Sequence, residues 1–264
     1  KYWNQTDAGT INYLINLRNQ YNVPLWLGET GENSNAWFTE CIELMEKYDI
    51  GYCFWPYKKI ESISGLTTAP VSPLYQSLLN YWKNGGTTPS IEVAKNALFD
   101  MVKRLEFDNC IINKDVVDAM FRSVNNSTSV PYADNKVPGV INAVNYDMGK
   151  QGVAYSDKVY KNTSNNEAYN SGWSYRNDGV DIEKSSDIFY SNGYNVGWIE
   201  LGEWLNYTLN VETTGIYDIN FRVAGANSNG IIIVRIDNEV VGDFIKVPNT
   251  GGYQSWQYIA GAKG

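Results

Sequence analysis

The sequence predicts an α/β unit followed by an all-β unit, with a helical connector between them. Three observations lead there. Helical and strand-like patterns alternate up to Gly86, a 3.6-residue period persists to about residue 124, and a two-residue period takes over beyond residue 140. The expected boundaries are 1–86, 87–139 and 140–264. A chain of 264 residues accommodates two domains of ordinary size.

In order along the chain, residues 6–21 carry Ile11, Leu14, Ile15 and Leu17 at helical spacing, with Asp7 as a cap near the start. Pro24-Leu25-Trp26-Leu27 is a short apolar run that ends abruptly in Gly28-Glu29-Thr30-Gly31. It reads as a buried parallel strand, with Pro24 first, where no ladder donor is needed. Gly28 and Gly31 let the backbone turn sharply. Glu29 then stands where a strand meets its loop and has two readings: a reactive carboxylate at a strand end, or a carboxylate capping the next helix. That helix is capped by Ser34 or Asn35 and runs to about residue 48, with Trp37, Phe38, Cys41, Ile42, Leu44 and Met45 on its apolar face. Residues 50–55 form a second buried strand stopped by Pro56, and Pro73 opens a helix that ends at Asn84-Gly85-Gly86.

Beyond a linker-like break at 85–90, Val93, Ala94, Ala97, Leu98, Met101, Val102 and Leu105 follow a helical period. A second short helix is expected over 114–124, with Val116, Val117, Met120 and Phe121 inward. Two amphipathic helices cannot bury their faces alone, so they are expected to dock on a neighbouring domain. Residues 125–138, rich in Asn, Ser and Pro, read as a second linker. From residue 140, short alternating runs at 198–211, 217–224 and 231–241 are broken by Gly and Asn turns, which argues for an antiparallel β-sandwich (jelly roll). Trp204 and Trp256, inside such runs, read as core.

Leu27-Gly28-Glu29-Thr30-Gly31, with Gly51-Tyr52-Cys53-Phe54-Trp55-Pro56-Tyr57-Lys58-Lys59, resembles the last two strands of glycoside hydrolase family 5. The resemblance implies a partial (β/α)8 barrel, contributing its last two strands and helices over residues 1–86. It also implies retaining hydrolysis of a β-glycosidic bond, for which two carboxyl groups stand roughly 5–5.5 Å apart. Glu29 matches the nucleophile, Tyr2 the residue that orients it, and Trp55 a sugar platform; Trp3, beside Tyr2, joins the substrate-binding set. The family's acid/base Glu follows an earlier strand with no counterpart here. The expectation is therefore a fragment of a longer endo-β-glycanase, cellulase-like, that hydrolyses nothing by itself. The alternative is a non-catalytic carbohydrate-binding protein.

The second half is similar to the family 6 carbohydrate-binding modules. The carrying residues are Tyr146-Asp147, Gly152-Val153-Ala154-Tyr155, the run from Tyr175 to Glu183, Gly197-Trp198-Ile199, Gly202-Glu203-Trp204-Leu205-Asn206-Tyr207 and Gly252-Tyr253-Gln254-Ser255-Trp256. The resemblance implies a loop-end site that sandwiches a sugar between two aromatics, matched by Trp198 and Tyr253. It also implies a structural Ca²⁺. The family's opening acids are replaced by Asn142 and Val144, which leaves Asp181 and Glu183 as metal candidates.

Composition narrows the partners. A net charge of −8 disfavours nucleic acid and anionic membranes, whereas a neutral polysaccharide such as β-glucan is compatible. The 20 Tyr and 9 Trp suit sugar stacking as well as core building. The absence of histidine excludes Ser-His and Cys-His catalysis and His-ligated zinc within this chain. Cys41, Cys53 and Cys110 show no metal-like spacing, and the first two, in apolar segments, are expected to be buried thiols. No apolar run reaches membrane-spanning length. The resemblances together imply an extracellular protein whose signal peptide and missing barrel strands lie upstream, and no cofactor is expected for catalysis.

Overall fold

The computed structural model describes residues 6–161 and 171–263. Helix α1 (Ala8–Tyr21) begins at Asp7, whose carboxylate accepts the Thr10 amide at 3.3 Å. Strand β1 (Trp26–Gly31), helix α2 (Asn35–Lys47) and strand β2 (Gly51–Trp55) form a βαβ unit with the strands parallel. Ser34 caps α2: its Oγ accepts the Trp37 amide at 3.2 Å, and the residue is fully buried. Ser34→Ala leaves that amide without its partner, and the expected cost is about 1 kcal/mol, read as a lowered urea midpoint.

The apolar face of α2 builds the first core. Trp37, Phe38, Cys41, Ile42, Leu44 and Met45 pack with Ile11 and Ile50, and Phe54 meets Phe38 edge to face at 5.6 Å. Burial pushes the Cys41 thiol up to about 11. Strands β3 (Lys58–Ile60), β4 (Thr67–Ala69) and, from the connector, β5 (Ile111–Ile112) form a small mixed sheet. Helices α3 (Pro73–Asn84) and α4 (Ile91–Arg104), capped by Ser72 and Ser90, pack against each other.

Helix α5 (Lys114–Val117) is shorter than the helix expected over 114–124. It widens into a π turn at Asp118–Arg122 and tightens into a 3₁₀ turn at Ser123–Asn125. Asp118 anchors this stretch by binding Arg122 and Ser123. Val116, Met120 and Val124 still reach the first core, so this part of the connector closes the underside of α2.

The C-terminal half is β-rich, in short two-stranded ladders: β6 (Asn135–Val137) with β11 (Leu209–Val211), β7 (Tyr155–Ser156) with β10 (Trp204–Leu205), β8 (Ile182–Lys184) with β9 (Tyr194–Val196), β12 (Asn220–Gly225) with β17 (Gly252–Ala260), β13 (Gly230–Ile232) with β16 (Ile245–Val247), and β14 (Arg235–Ile236) with β15 (Glu239–Val240). Its core is rich in tyrosine: Val144, Tyr146, Ala154, Tyr155, Val180 and Ile182 are buried, with Tyr175, Tyr194 and Tyr207 against them.

Four expectations change. The stretch read as a linker at 125–138 carries β6, because Asn135 to Val137 find ladder partners in β11, and that pair is parallel rather than antiparallel. The β1–β2 pair is covered on one face only: α2 packs over Thr30 and Phe54, while Trp26 is 69% exposed and Cys53 lies at the surface instead of in the core. Trp204, in a ladder of two residue pairs, is 39% exposed. The ladders of the described residues do not join into two continuous sheets.

Candidate functional site

Two regions carry the residues singled out from the sequence. The first is the open face of β1–β2. Register along this pair runs Leu27 to Tyr52 and then Thr30 to Phe54, so Gly28 and Glu29 together oppose the single residue Cys53. That is a β-bulge, a device that re-aims a side chain. Leu27 and Thr30 both face α2, and the extra residue turns Glu29 to the exposed side shared with Cys53 and Trp55. Without the bulge, strict alternation would make Leu27 and Glu29 share a face.

Gly31 completes the arrangement. Its φ is +132°, and a Cβ there would lie 2.1 Å from the Trp55 carbonyl oxygen, so β1 approaches the end of β2 closer than any side chain permits. Trp55 is 58% exposed. Trp26 lies flat across Gly51, where a Cβ would sit 2.4 Å from its ring. The face therefore offers two exposed indoles and one carboxylate. Glu32, one residue past β1, is paired with Lys59. Tyr2 and Trp3 lie outside the described residues.

The second region is the β8–β9 hairpin and the strand β17 beside it. Trp198, 53% exposed, sits in a left-handed conformation (φ +48°) just beyond Gly197, whose amide donates to Asp181 O at 3.0 Å. Tyr253, 67% exposed, is the second residue of β17. Its neighbour Gln254 is bound on the other side of the strand. Gln254 Nε2 donates to Glu183 Oε1 at 2.7 Å and its Oε1 accepts the Ser186 amide at 2.8 Å. Because side chains alternate along a strand, Tyr253 points away from the hairpin. Trp198 leaves the hairpin at its open end, whereas Ser186 lies at the loop end. No ring contact or hydrogen bond joins Trp198 to Tyr253.

One cluster escaped the sequence reading. Arg222, in β12, holds Asp187 through two hydrogen bonds of 2.6 and 2.9 Å, and its guanidinium lies 4.6 and 4.9 Å from the ring centres of Tyr190 and Tyr258. This clamp ties the hairpin loop to β12–β17 and leaves Ile188, Phe189 and both tyrosines exposed. The available signal was an arginine at an interior position of an alternating strand.

The metal candidates do not converge. Glu183 is occupied by the Gln254 and Asn195 amides, and Asp181 accepts the Ser171 amide. Asp181 is raised above the usual carboxylate range by burial and then by Glu203 and Glu200, and Asp157 is pushed up to about 6 by burial and by the same two acids together with Asp181. Among the described residues no three acidic or cysteine side chains form a metal-ligand group.

Residues 167–262, which contain Trp198, Arg222 and Tyr253, match the family model Carbohydrate binding module (family 6). A stretch of 83 residues is 31% identical to the clotting factor G alpha subunit of Tachypleus tridentatus, covering 31% of this chain and 12% of that protein. The C-terminal β-rich half thus contains a stretch similar to the family 6 carbohydrate-binding modules.

Proposed function

We propose that the chain binds a β-glucan or a related polysaccharide through the exposed aromatics of its β-rich half, Trp198 and Tyr253 first, as the sugar-binding appendage of a secreted, retaining endo-β-glycanase. The observation that carries the binding part is the match of residues 167–262 to a sugar-binding family, within which both aromatics stand exposed at the surface. An antiparallel sandwich would arise from the short ladders of this half. The module raises the local concentration of polymer around the catalyst, a linked-site effect.

The catalytic part of the reading rests on the open face of β1–β2. There a bulge turns Glu29 outward on the side of Trp55, as a nucleophile at the end of a barrel strand requires. The proton donor for the leaving oxygen would come from barrel strands outside this chain. A second reading, a carbohydrate-binding protein in which the βαβ unit is only scaffold, is favoured by the pairing of Glu32, the carboxylate closest to Glu29 in sequence, with Lys59.

Affinity electrophoresis of the whole chain against mixed-linkage β-glucan, xylan and mannan, with reducing sugar assayed in parallel, tests both. Retarded migration in β-glucan without sugar release is the expected result. Unretarded migration in all three polymers sinks the binding reading, and sugar release overturns the assignment of the acid/base group to missing strands.

A further inference from the structure

The β-rich half is not tethered to the α/β half but seated on it through buried polar groups. Asn35, at the first turn of α2, spans the seam: its Nδ2 donates to Asp115 Oδ2 at 2.8 Å and to Asp178 Oδ1 at 2.7 Å. Its own amide donates to Asn177 O at 3.0 Å, and the Asn177 amide donates to Asp115 Oδ2 at 2.7 Å. Asn177 Nδ2 reaches back to Asn33 O at 2.7 Å. Asn35, Asp115, Asn177 and Asp178 are each less than 5% exposed. A cavity of about 230 Å³ adjoins the seam, and Glu40, Glu43, Asp118 and Lys150 line it together with Asp115 and Asp178.

Charge balance singles out one group. Glu40 is paired with Lys161 at 2.8 Å, Glu43 with Lys150 at 2.7 Å, Asp118 with Arg122, and Asp178 with the fully buried Arg176 at 2.6 Å. Among the described residues Arg176 pairs directly with Asp178 only and is stacked 3.7 Å from the Tyr146 ring centre and 4.4 Å from that of Tyr132, with Tyr146 Oη donating to Asp178 at 3.1 Å. Lys114 Nζ lies 6.0 Å from the Tyr132 ring centre. Asp115 alone receives its hydrogen bonds from neutral donors, Asn35 and the Asn177 amide. Ionised, it would be a second buried negative charge beside Asp178, sharing with it the single buried cation Arg176, and two buried charges on one counterion are costly.

We propose that this seam is a proton-operated latch: Asp115 is neutral when the sugar-binding half is firmly seated on α2, and its ionisation as pH rises loosens the seat. Burial first, then Asp178, raises Asp115 to about 6 from an ordinary 3.8, against the pull of Arg176 and the two hydrogen bonds. The closed seam holds the proton more tightly than the open one. Closure is therefore favoured below the ordinary carboxylate value, weakens as pH rises from about 4 to about 6, and levels off above that. In acid the two halves move as one body; at neutral pH the module gains freedom.

Asp115→Asn tests this, because its amide oxygen can accept both hydrogen bonds that Oδ2 accepts while carrying no charge. Thermal unfolding of the full chain at pH 7 is expected to give a higher Tm for the variant than for the wild type, with the gap closing at pH 4. Comparing the two proteins cancels the titration of every other carboxylate. A gap of the same size and sign at both pH values overturns the proposal. The wild-type chain supplies an independent readout if the variant does not fold. Hydrogen exchange at the Asn35 and Asn177 amides, corrected for the intrinsic rate, should show less protection at pH 7 than at pH 4.5, and equal protection overturns the latch.

Discussion

Replacing Tyr253 by alanine is expected to weaken retention of the chain on β-glucan by about tenfold, roughly 1.4 kcal/mol, while leaving the unfolding midpoint unchanged. Both halves of that expectation follow from where the ring stands. It is two-thirds exposed on the face of β17 turned away from the hairpin, so its removal opens no cavity. The backbone position is held by Gln254 and by the pairing of Gly252 with Gly225, neither of which involves the ring. Trp198→Ala should act similarly and separately, because the two rings share no contact, and the double variant should lose the sum of the two effects. Affinity electrophoresis and isothermal titration with a soluble oligosaccharide measure this. A Tyr253→Ala chain that binds like the wild type removes Tyr253 from the site. A loss smaller than the sum in the double variant would instead mean that the rings grip one sugar together.

The largest effect on stability is expected at Gly31. Its φ of +132° is strained for any residue with a side chain, and an alanine Cβ would lie 2.1 Å from Trp55 O and 3.3 Å from Trp55 N. These are backbone atoms of the neighbouring strand and cannot rotate away. Gly31→Ala must therefore either part the ends of β1 and β2 or twist them out of register. The expected cost is roughly 3 kcal/mol or more, read as a large drop in the urea midpoint. Because Trp55 closes the β2 end of this contact, its fluorescence should shift even where the variant remains folded. A midpoint within experimental error of the wild type would show that the close approach is not a constraint. By contrast, alanine at Gly85, which has nothing within 4 Å, meets no such wall and loses only its favourable φ of +73°.

How much of this was legible beforehand follows a physical division. Two helix starts were readable because capping is local: Asp7 and Ser34 each satisfy an amide three residues ahead, as Ser72 and Ser90, seen as caps only in the structure, also do. The inward residues of α2 were readable because a helix repeats every 3.6 residues whatever surrounds it. The βαβ order and the sugar-binding motifs were readable for the same reason, being short patterns of neighbours. Glu29 was identified as a strand-end acid, but the bulge that turns it outward was not, since a bulge exists only relative to the partner strand. Cys53 and Trp204 sit in runs that read as core, yet burial depends on whether another layer covers the strand, and among the described residues both side chains stay exposed.

The amino-acid sequence by itself determined the local elements, the change from a helical to a two-residue period, and the residue types suited to gripping a sugar. Only the tertiary structure decided which of those residues share a face, that Arg222 clamps Asp187 between two tyrosines, and that Asn35 joins Asp115 to Asp178 across the seam between the halves. The reason is range. Capping and periodicity act over a few residues and are written in adjacent letters. A buried charge is costly or harmless according to the partners that the fold brings to it from far along the chain: Asp115 takes its hydrogen bonds from neutral donors, one of them the Asn177 amide 62 positions away.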